Sequence, residues 1–234
     1  MQLFFTSDIH ENSDTFSFNK DESRHIIKVL RKSKGDQLNI TNGRGWLFEA
    51  KIIQPDQKQC VVSLISKTKQ PPRPYQVHLA VAPTKMNDRF EWFLEKATEI
   101  GIDRITPLLC ERSERRVIKK ERYEKVIQAA TKQSLHFFMP ELDDLTSFND
   151  FVKENIKGEK FIAHCEEKDK KSLKEIIQPN TDVTILIGPE GDFSSREIES
   201  AIKNGFKPVT LGDTRLRTET AAIVACYSVA FINQ

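Results

Sequence analysis

Two glycine-bearing loops in the last third of the chain gather the residues best suited to chemistry. The first, Gly188-Pro189-Glu190-Gly191-Asp192-Phe193-Ser194, follows an apolar run from Val183 to Ile187. The second runs from Leu211-Gly212 through Arg215-Leu216-Arg217-Thr218-Glu219-Thr220 to Ala221, and follows Lys207 to Thr210. Both stand where a strand should end and a helix begin. They therefore offer main-chain amides and carbonyls at the carboxyl end of a sheet, and glycine lets a ligand come close to that main chain. The glutamates Glu190 and Glu219 and the arginines Arg215 and Arg217 sit on the same loops. Neither loop ends in the Gly-Lys-Ser/Thr of a phosphate cradle, and neither carries the G-x-G-x-x-G of a dinucleotide site. A ligand other than a nucleoside phosphate is expected. The plain alternative is that Gly188-Pro189 only ends a strand and Ser194-Ser195-Arg196-Glu197 only opens a helix through a capping box.

The elements that must hold these loops are legible around them. From Tyr75 onward short apolar strands alternate with longer amphipathic helices. Strands are expected at Gln76 to Ala82, Arg104 to Leu109, Lys160 to His164, Val183 to Ile187 and Lys207 to Leu211. Helices are expected at Arg89 to Ile100, Lys119 to His136, Ser147 to Asn155, Lys170 to Gln178, Ser194 to Asn204 and Thr218 to Phe231. Such alternation predicts an α/β domain with a mostly parallel sheet covered on both faces. The last helix is apolar on nearly every side and should be buried all round, in a core or across a subunit interface.

Residues 1–70 read as a small β-barrel with one helix. Strand patterns fall at Gln2 to Thr6, Thr15 to Phe18, Gln37 to Thr41, Trp46 to Ile53 and Cys60 to Lys67, with a helix from Lys20 to Arg31. Asn19 and Glu22 have capping-box spacing, and Asn42-Gly43 marks a hairpin. Three prolines within Pro71-Pro72-Arg73-Pro74 break regular structure, so the boundary with a second domain, 75–234, is placed there. Arg24, Lys28 and Arg31 recur at helical spacing on one face and can bridge phosphates or simply stay solvated.

Composition narrows the class. A chain of 234 residues with 38% hydrophobic and 30% charged residues can bury a sizeable core in one or two domains. No apolar run approaches the ~20 residues of a bilayer span, and no signal peptide is evident, so a cytoplasmic protein is expected. Cys60, Cys110, Cys165 and Cys226 are widely spaced within apolar or strand-like segments and read as buried free thiols, with neither a disulfide framework nor a metal site. The first 72 residues hold 11 Lys and Arg against 8 Asp and Glu, leaving 25 against 26 for the remainder. That excess fits nucleic-acid contact by the first segment.

Together the two loops resemble the C-terminal motifs of the SPOUT class of RNA methyltransferases, in particular the 16S rRNA uridine-N3 methyltransferase family. Arg24-His25-Ile26-Ile27-Lys28-Val29-Leu30-Arg31 resembles that family's RNA-binding helix. Lys85 with Phe90-Glu91-Trp92 and Glu95-Lys96-Ala97-Thr98-Glu99-Ile100-Gly101 resembles the opening of its catalytic domain, and Pro107, Gln133-Ser134 and Pro140 also fall in place. The resemblance implies a PUA-like first domain that holds RNA and a second domain ending in a deep trefoil knot, where pattern alone would stop at an unknotted sheet. It implies a pocket for S-adenosylmethionine lined by Ile187, Gly188, Pro189, Glu190, Gly191, Leu211, Gly212, Leu216 and Arg217, and a homodimer built on the last helix. The RNA, as 16S rRNA or the 30S subunit, would meet Arg24, Lys28, Arg31, Lys85, Arg89, Arg112, Arg115 and Arg116.

In the implied reaction the uracil N3 loses its proton and charge spreads over the ring oxygens. Arg217 is the first candidate to stabilise that charge. Glu190 and Glu219 are candidates for proton removal or for balancing the donor's positive charge. Their plain alternatives are loop fixation for Glu190 and favourable interaction with the helix dipole for Glu219. Asp192 stands where the family usually has a second glycine, and the glycine and arginine that commonly follow Ser134 are replaced by Leu135 and His136, ahead of Phe137-Phe138. Two other readings fit the same residues: a SPOUT methyltransferase for another rRNA or tRNA position, or a non-catalytic RNA-binding factor.

Overall fold

The computed structural model describes residues 2–166 and 170–234. It separates into two compact units. The first is the chain up to Pro72 together with Thr131–Met139, and the second is Arg73–Ala130 together with Pro140–Gln234.

The first unit is a five-stranded sheet. Its strands are β1 (Leu3–Phe5), β2 (Thr15–Ser17), β3 (Gln37–Thr41), β4 (Trp46–Gln54) and β5 (Val61–Lys69), in the order β1-β3-β4-β5-β2. Strand β1 lies parallel to β3, and the remaining pairs are antiparallel. Alternation fixes the inner face: Leu38, Ile40, Phe48, Ala50 and Ile52 point into one core with Phe4, Phe18, Ile26 and Val62. Two register shifts, one leaving Ile65 of β5 unpaired opposite Glu49 and Ala50 and one leaving Ile53 of β4 unpaired, bend the strands, as extra residues do in a sheet that must curl around its core.

Helix α1 (Lys20–Arg24) begins at Asn19, whose side chain accepts the Glu22 N–H at 2.9 Å. The Glu22 carboxylate turns away to Lys132, at 3.0 Å. The helix expected to run to Arg31 becomes a π-helical turn, His25–Val29, in which the Leu30 N–H donates to His25 O at 2.9 Å. Arg31 lies beyond that turn in the left-handed region (φ 54°). Arg24, Lys28 and Arg31 are all exposed, but they do not form the single α-helical stripe that their spacing predicts.

A second departure is Thr131–Met139, which the sequence reading leaves in the later domain. Here it packs with the first unit through the β3–β4 turn. The Gly45 N–H donates to Phe137 O at 2.8 Å, and the Met139 N–H donates to Gly43 O at 3.0 Å. Gly45 has φ +87°, and a Cβ there would lie 2.4 Å from the Phe138 ring, so only glycine admits the aromatic pair. Phe137 and Phe138 are half-buried in this way.

The second unit is a parallel sheet. Its strands are β6 (Val77–Val81), β7 (Arg104–Leu109), β8 (Glu141–Leu142), β9 (Thr146–Ser147), β10 (Glu159–Ala163), β11 (Lys171–Ser172), β12 (Val183–Ile187) and β13 (Lys207–Thr210). The order is β11-β13-β10-β12-β6-β7-β8, with β9 also paired to β7, and every pairing is parallel. All five residues of β12 are buried, as expected of a central strand covered on both faces. Helices α2 (Asn87–Ile100), α5 (Leu173–Ile176) and α7 (Thr218–Ile232) pack together on one face. On the other, α4 (Phe148–Phe151) and α6 (Ser195–Lys203) share a core with Ala80, Leu108, Ile162 and Leu186. Helix α3 (Lys120–Gln133) carries the chain towards the Thr131–Met139 segment.

Two expected helices shrink to single turns. Lys170 to Gln178 reduces to α5 because Ile177 is extended (ψ 134°) shortly before Pro179, and Ser147 to Asn155 reduces to α4. The last helix also departs from expectation. Ala222, Ala225, Cys226 and Val229 are buried, but Tyr227 is 50% and Phe231 63% exposed, so α7 keeps one apolar face in the open.

Candidate active site

Three strand ends converge on one region of the second unit: Ala163 of β10, Ile187 of β12 and Thr210 of β13. Their parallel neighbours put every carboxyl end on the same edge, which is where the loops leave. The loops enclose a cavity of about 260 Å³ and an adjoining one of about 620 Å³, which share Ala163, Cys165, Asp192, Arg215, Leu216 and Ala221. Ile187, Gly188, Pro189, Glu190, Leu216 and Arg217 line the smaller cavity, while Gly191, Leu211 and Gly212 line the larger. The lining joins apolar side chains to main chain and a few charges, a composition suited to a flat heterocycle with a polar edge.

The loop geometry is held by specific bonds. Thr218, at the start of α7, donates its hydroxyl to Gly188 O at 3.1 Å and so joins the two loops. Glu190 accepts the Lys85 N–H at 2.9 Å. Asp192 has φ 63°, the left-handed conformation that a glycine would supply more easily. Its carboxylate accepts the Cys165 and Phe193 N–H groups, each at 2.8 Å, which glycine has no side chain to do. Ser194 and Glu197 form a complete capping box on α6, and Glu197, itself buried, also accepts the Glu111 N–H at 2.8 Å.

Arg217 occupies the N-cap position of α7 with extended backbone, makes no side-chain cap and is exposed. It borders both the smaller cavity and a recess of about 440 Å³ formed with Asp88, Arg89, Trp92, Glu219 and Thr220. Glu219 is buried on that second side, its carboxylate 3.8 Å from Arg89 Nε. It lines the recess and not the cavities between the loops.

The basic residues expected on RNA divide into two groups. Arg116 is exposed, as are Arg24, Lys28 and Arg31 of the first unit. The others are engaged within the second unit. Lys85 pairs with Glu114 at 2.8 Å, and that carboxylate holds the ammonium pKa above its ordinary value. Arg115 donates to Thr84 O and Lys85 O at 2.9 and 2.7 Å, and Arg112 donates to Gly191 O and Phe193 O at 2.9 and 3.3 Å. Sequence reading also missed Cys165. It was expected to be buried like Cys60, Cys110 and Cys226, but it is exposed and lines both cavities. Its place just past a strand end was the available signal. Among the described residues no cluster of side chains is suited to holding a metal ion, and no helix is long and apolar enough to cross a membrane.

One unit is a curled five-stranded sheet and the other a parallel α/β domain with a loop-built pocket, and comparison with known proteins gives the class. Residues 71–230 match the model of an RNA methyltransferase domain, and residues 18–65 match that of an RNA methyltransferase PUA domain. Ribosomal RNA small subunit methyltransferase E of Rickettsia conorii is 32% identical over 99% of this chain and 95% of its own length. A probable rRNA-methyltransferase structure from Porphyromonas gingivalis superposes with TM-score 0.93 at 41% identity, covering 100% of this chain and 98% of that one. A methyltransferase structure from Legionella pneumophila in complex with bound cofactor SAM superposes with TM-score 0.88 at 30% identity, covering 99% and 97%. This chain belongs to the ribosomal RNA small subunit methyltransferase E family.

Proposed function

We propose that the protein transfers a methyl group from S-adenosylmethionine to N3 of a specific uridine in 16S rRNA of the small ribosomal subunit. The observation that carries this reading is the cavity pair between the Gly188–Ser194 and Leu211–Arg217 loops, bordered by the exposed guanidinium groups of Arg215 and Arg217. The donor supplies a methyl group on a sulfonium. Ile187, Leu211 and Leu216 are the apolar surfaces for its adenine, and the main chain near Gly188, Gly191 and Gly212 meets the ring edge.

Arg217 stands where charge developing on the uracil oxygens would be stabilised more in the transition state than in the ground state. Glu190 serves as a loop tie, since its carboxylate is already committed to the Lys85 amide. Glu219 holds Arg89 beside the recess that also contains Trp92, and that recess admits the target base. Alignment of base and donor across Arg217 supplies much of the acceleration in an in-line transfer.

Three further readings go with this one. The PUA-like unit grips RNA through Arg24, Lys28 and Arg31, with Arg89 and Arg116 adding contacts on the catalytic unit. The strands and helix from β12 to α7 form the trefoil knot of SPOUT domains, a reading supported by the way β12 lies between β10 and β6 while β13 flanks β10 on its other side. The open face of α7, with Tyr227 and Phe231 rings 5.9 Å apart, pairs with a second copy to make a cytoplasmic homodimer.

The test uses purified protein, methyl-labelled S-adenosylmethionine and 30S subunits from a strain lacking the modification. Label should enter 16S rRNA at one uridine, seen as a single reverse-transcription stop. In parallel reactions on 50S subunits and bulk tRNA, label there with none in 16S rRNA would replace this reading with another methylation target.

A further inference from the structure

We propose that Arg112 is a positioning residue of the methyl-donor pocket and not a ligand for RNA phosphate. The inference rests on the donor-site reading above and assigns a role within it. Strands β12, β6 and β7 are neighbours in the sheet, so the loops leaving their carboxyl ends lie side by side. The segment from Glu111 to Arg115, after β7, fastens the other two. Arg115 donates to Thr84 O and Lys85 O after β6. The Lys85 N–H in turn donates to Glu190 after β12. The Glu111 N–H donates to Glu197 at the far end of the same β12 loop.

Arg112 holds the middle of that loop. Its Nη1 donates to Gly191 O and Phe193 O, the carbonyls on either side of Asp192. Asp192 is the one residue of the loop in left-handed conformation and lines both cavities. A turn of that kind is unfavourable for a residue with a side chain, and a charged donor bridging the two flanking carbonyls offsets the cost. Packing adds to the bond. A Cβ placed on Gly191 would lie 3.3 Å from Arg112 Cβ and 3.5 Å from its Cδ, so the arginine stem lies flat against the loop. The Nη1 donors are thereby spent on the loop and not on a phosphate.

Calorimetry with S-adenosylhomocysteine, the demethylated product, tests the proposal alongside salt-titrated binding of a 16S rRNA transcript. Arg112→Ala should weaken product binding by about ten-fold or more, the loss expected for a charge-assisted hydrogen bond. Its RNA affinity and salt slope should match wild type. Arg112→Lys should recover part of the loss, because an ammonium keeps the charge and a donor but not the length and planar shape that seat Nη1 between the two carbonyls. Gly191→Ala, which crowds the arginine stem and leaves its charge intact, should weaken product binding as well. It serves with Arg112→Lys as the test should a thermal melt show that Arg112→Ala does not fold.

Wild-type product affinity in these variants would overturn the inference. So would an Arg112→Ala salt slope lowered by about one, the signature of a lost phosphate contact. Wild-type protein with no affinity for the product would overturn the donor-site reading itself.

Discussion

The Glu190 carboxylate accepts the main-chain N–H of Lys85 at 2.9 Å, joining the loop after β12 to the loop after β6. A general base engaged in this way has little freedom to exchange a proton with a substrate, whereas a tie needs only an acceptor oxygen. Glu190→Gln keeps a carbonyl there and is expected to hold kcat within about three-fold of wild type, while Glu190→Ala raises KM for the donor by roughly ten-fold. Steady-state kinetics on both variants distinguish the roles, and a large kcat loss in Glu190→Gln would restore Glu190 as the base.

Arg217 makes no cap and stands between the smaller loop cavity and the Trp92 recess. Removing a cation that acts on transition-state charge should lower kcat by roughly a hundred-fold, with donor affinity changed far less. Single-turnover methylation and product calorimetry on Arg217→Ala measure the two quantities. Equal losses in both would make Arg217 a binding residue only.

His78 lies in a polar cluster at the opposite end of the sheet. Its Nε2 is 2.7 Å from Thr106 Oγ1, and Thr106 also donates to Asp143, which pairs with Arg104. Burial, and then the Arg104 charge, lower the imidazole pKa to about 4 against the opposing pull of Asp143. Between that value and the ordinary one of about 6.5 the unfolded chain binds the extra proton, so stability rises with pH across this window and is lost as pH falls. The loss should reach about 3 kcal/mol near pH 4. Urea unfolding at pH 5 and 7.5 should show a smaller difference for His78→Gln than for wild type, and equal differences would remove the assignment.

Gly45 meets the Phe138 ring where a Cβ would lie 2.4 Å from it, at a φ of +87°. Overpacking and left-handed strain should together cost Gly45→Ala about 2 kcal/mol. Urea denaturation measures this directly. Phe138→Ala in the same background should relieve part of the loss, and strictly additive effects would show that the ring is not the cause.

Tyr227 and Phe231 leave an apolar face of α7 open to solvent. If that face meets a second copy, Phe231→Glu places a charge in the interface and should shift the protein to monomer at micromolar concentration. Light scattering after size exclusion reads the mass. An unchanged dimer would move the interface elsewhere, and a monomeric wild type would remove it.

Much of the fold is written in local pattern. Gln37–Thr41, Arg104–Leu109 and Val183–Ile187 are strands over the same residues that apolar alternation or continuity predicts. The shortest elements depart from pattern for an equally local reason. Propensity favours helix at Lys170 to Gln178, but two strand residues, one turn and Pro179 leave α5 only Leu173–Ile176. The π-turn at His25–Val29 is a one-residue change of local hydrogen bonding, and the return of Thr131–Met139 to the first unit depends on partners far along the chain; neither leaves a periodic trace.

By itself the sequence determined where main chain would be offered to a ligand, because glycine after an apolar run constrains backbone within a few residues. Only the tertiary structure decided what each charge does. Arg112, Arg115, Glu190 and Asp192 all appear on the chain as exposed-type residues free to act on RNA or donor. Folding brings carbonyls and amides from distant positions within hydrogen-bond reach and commits these side chains to them, while Arg217 makes no cap. Such contacts join residues tens of positions apart, and spacing along a chain carries no information about them.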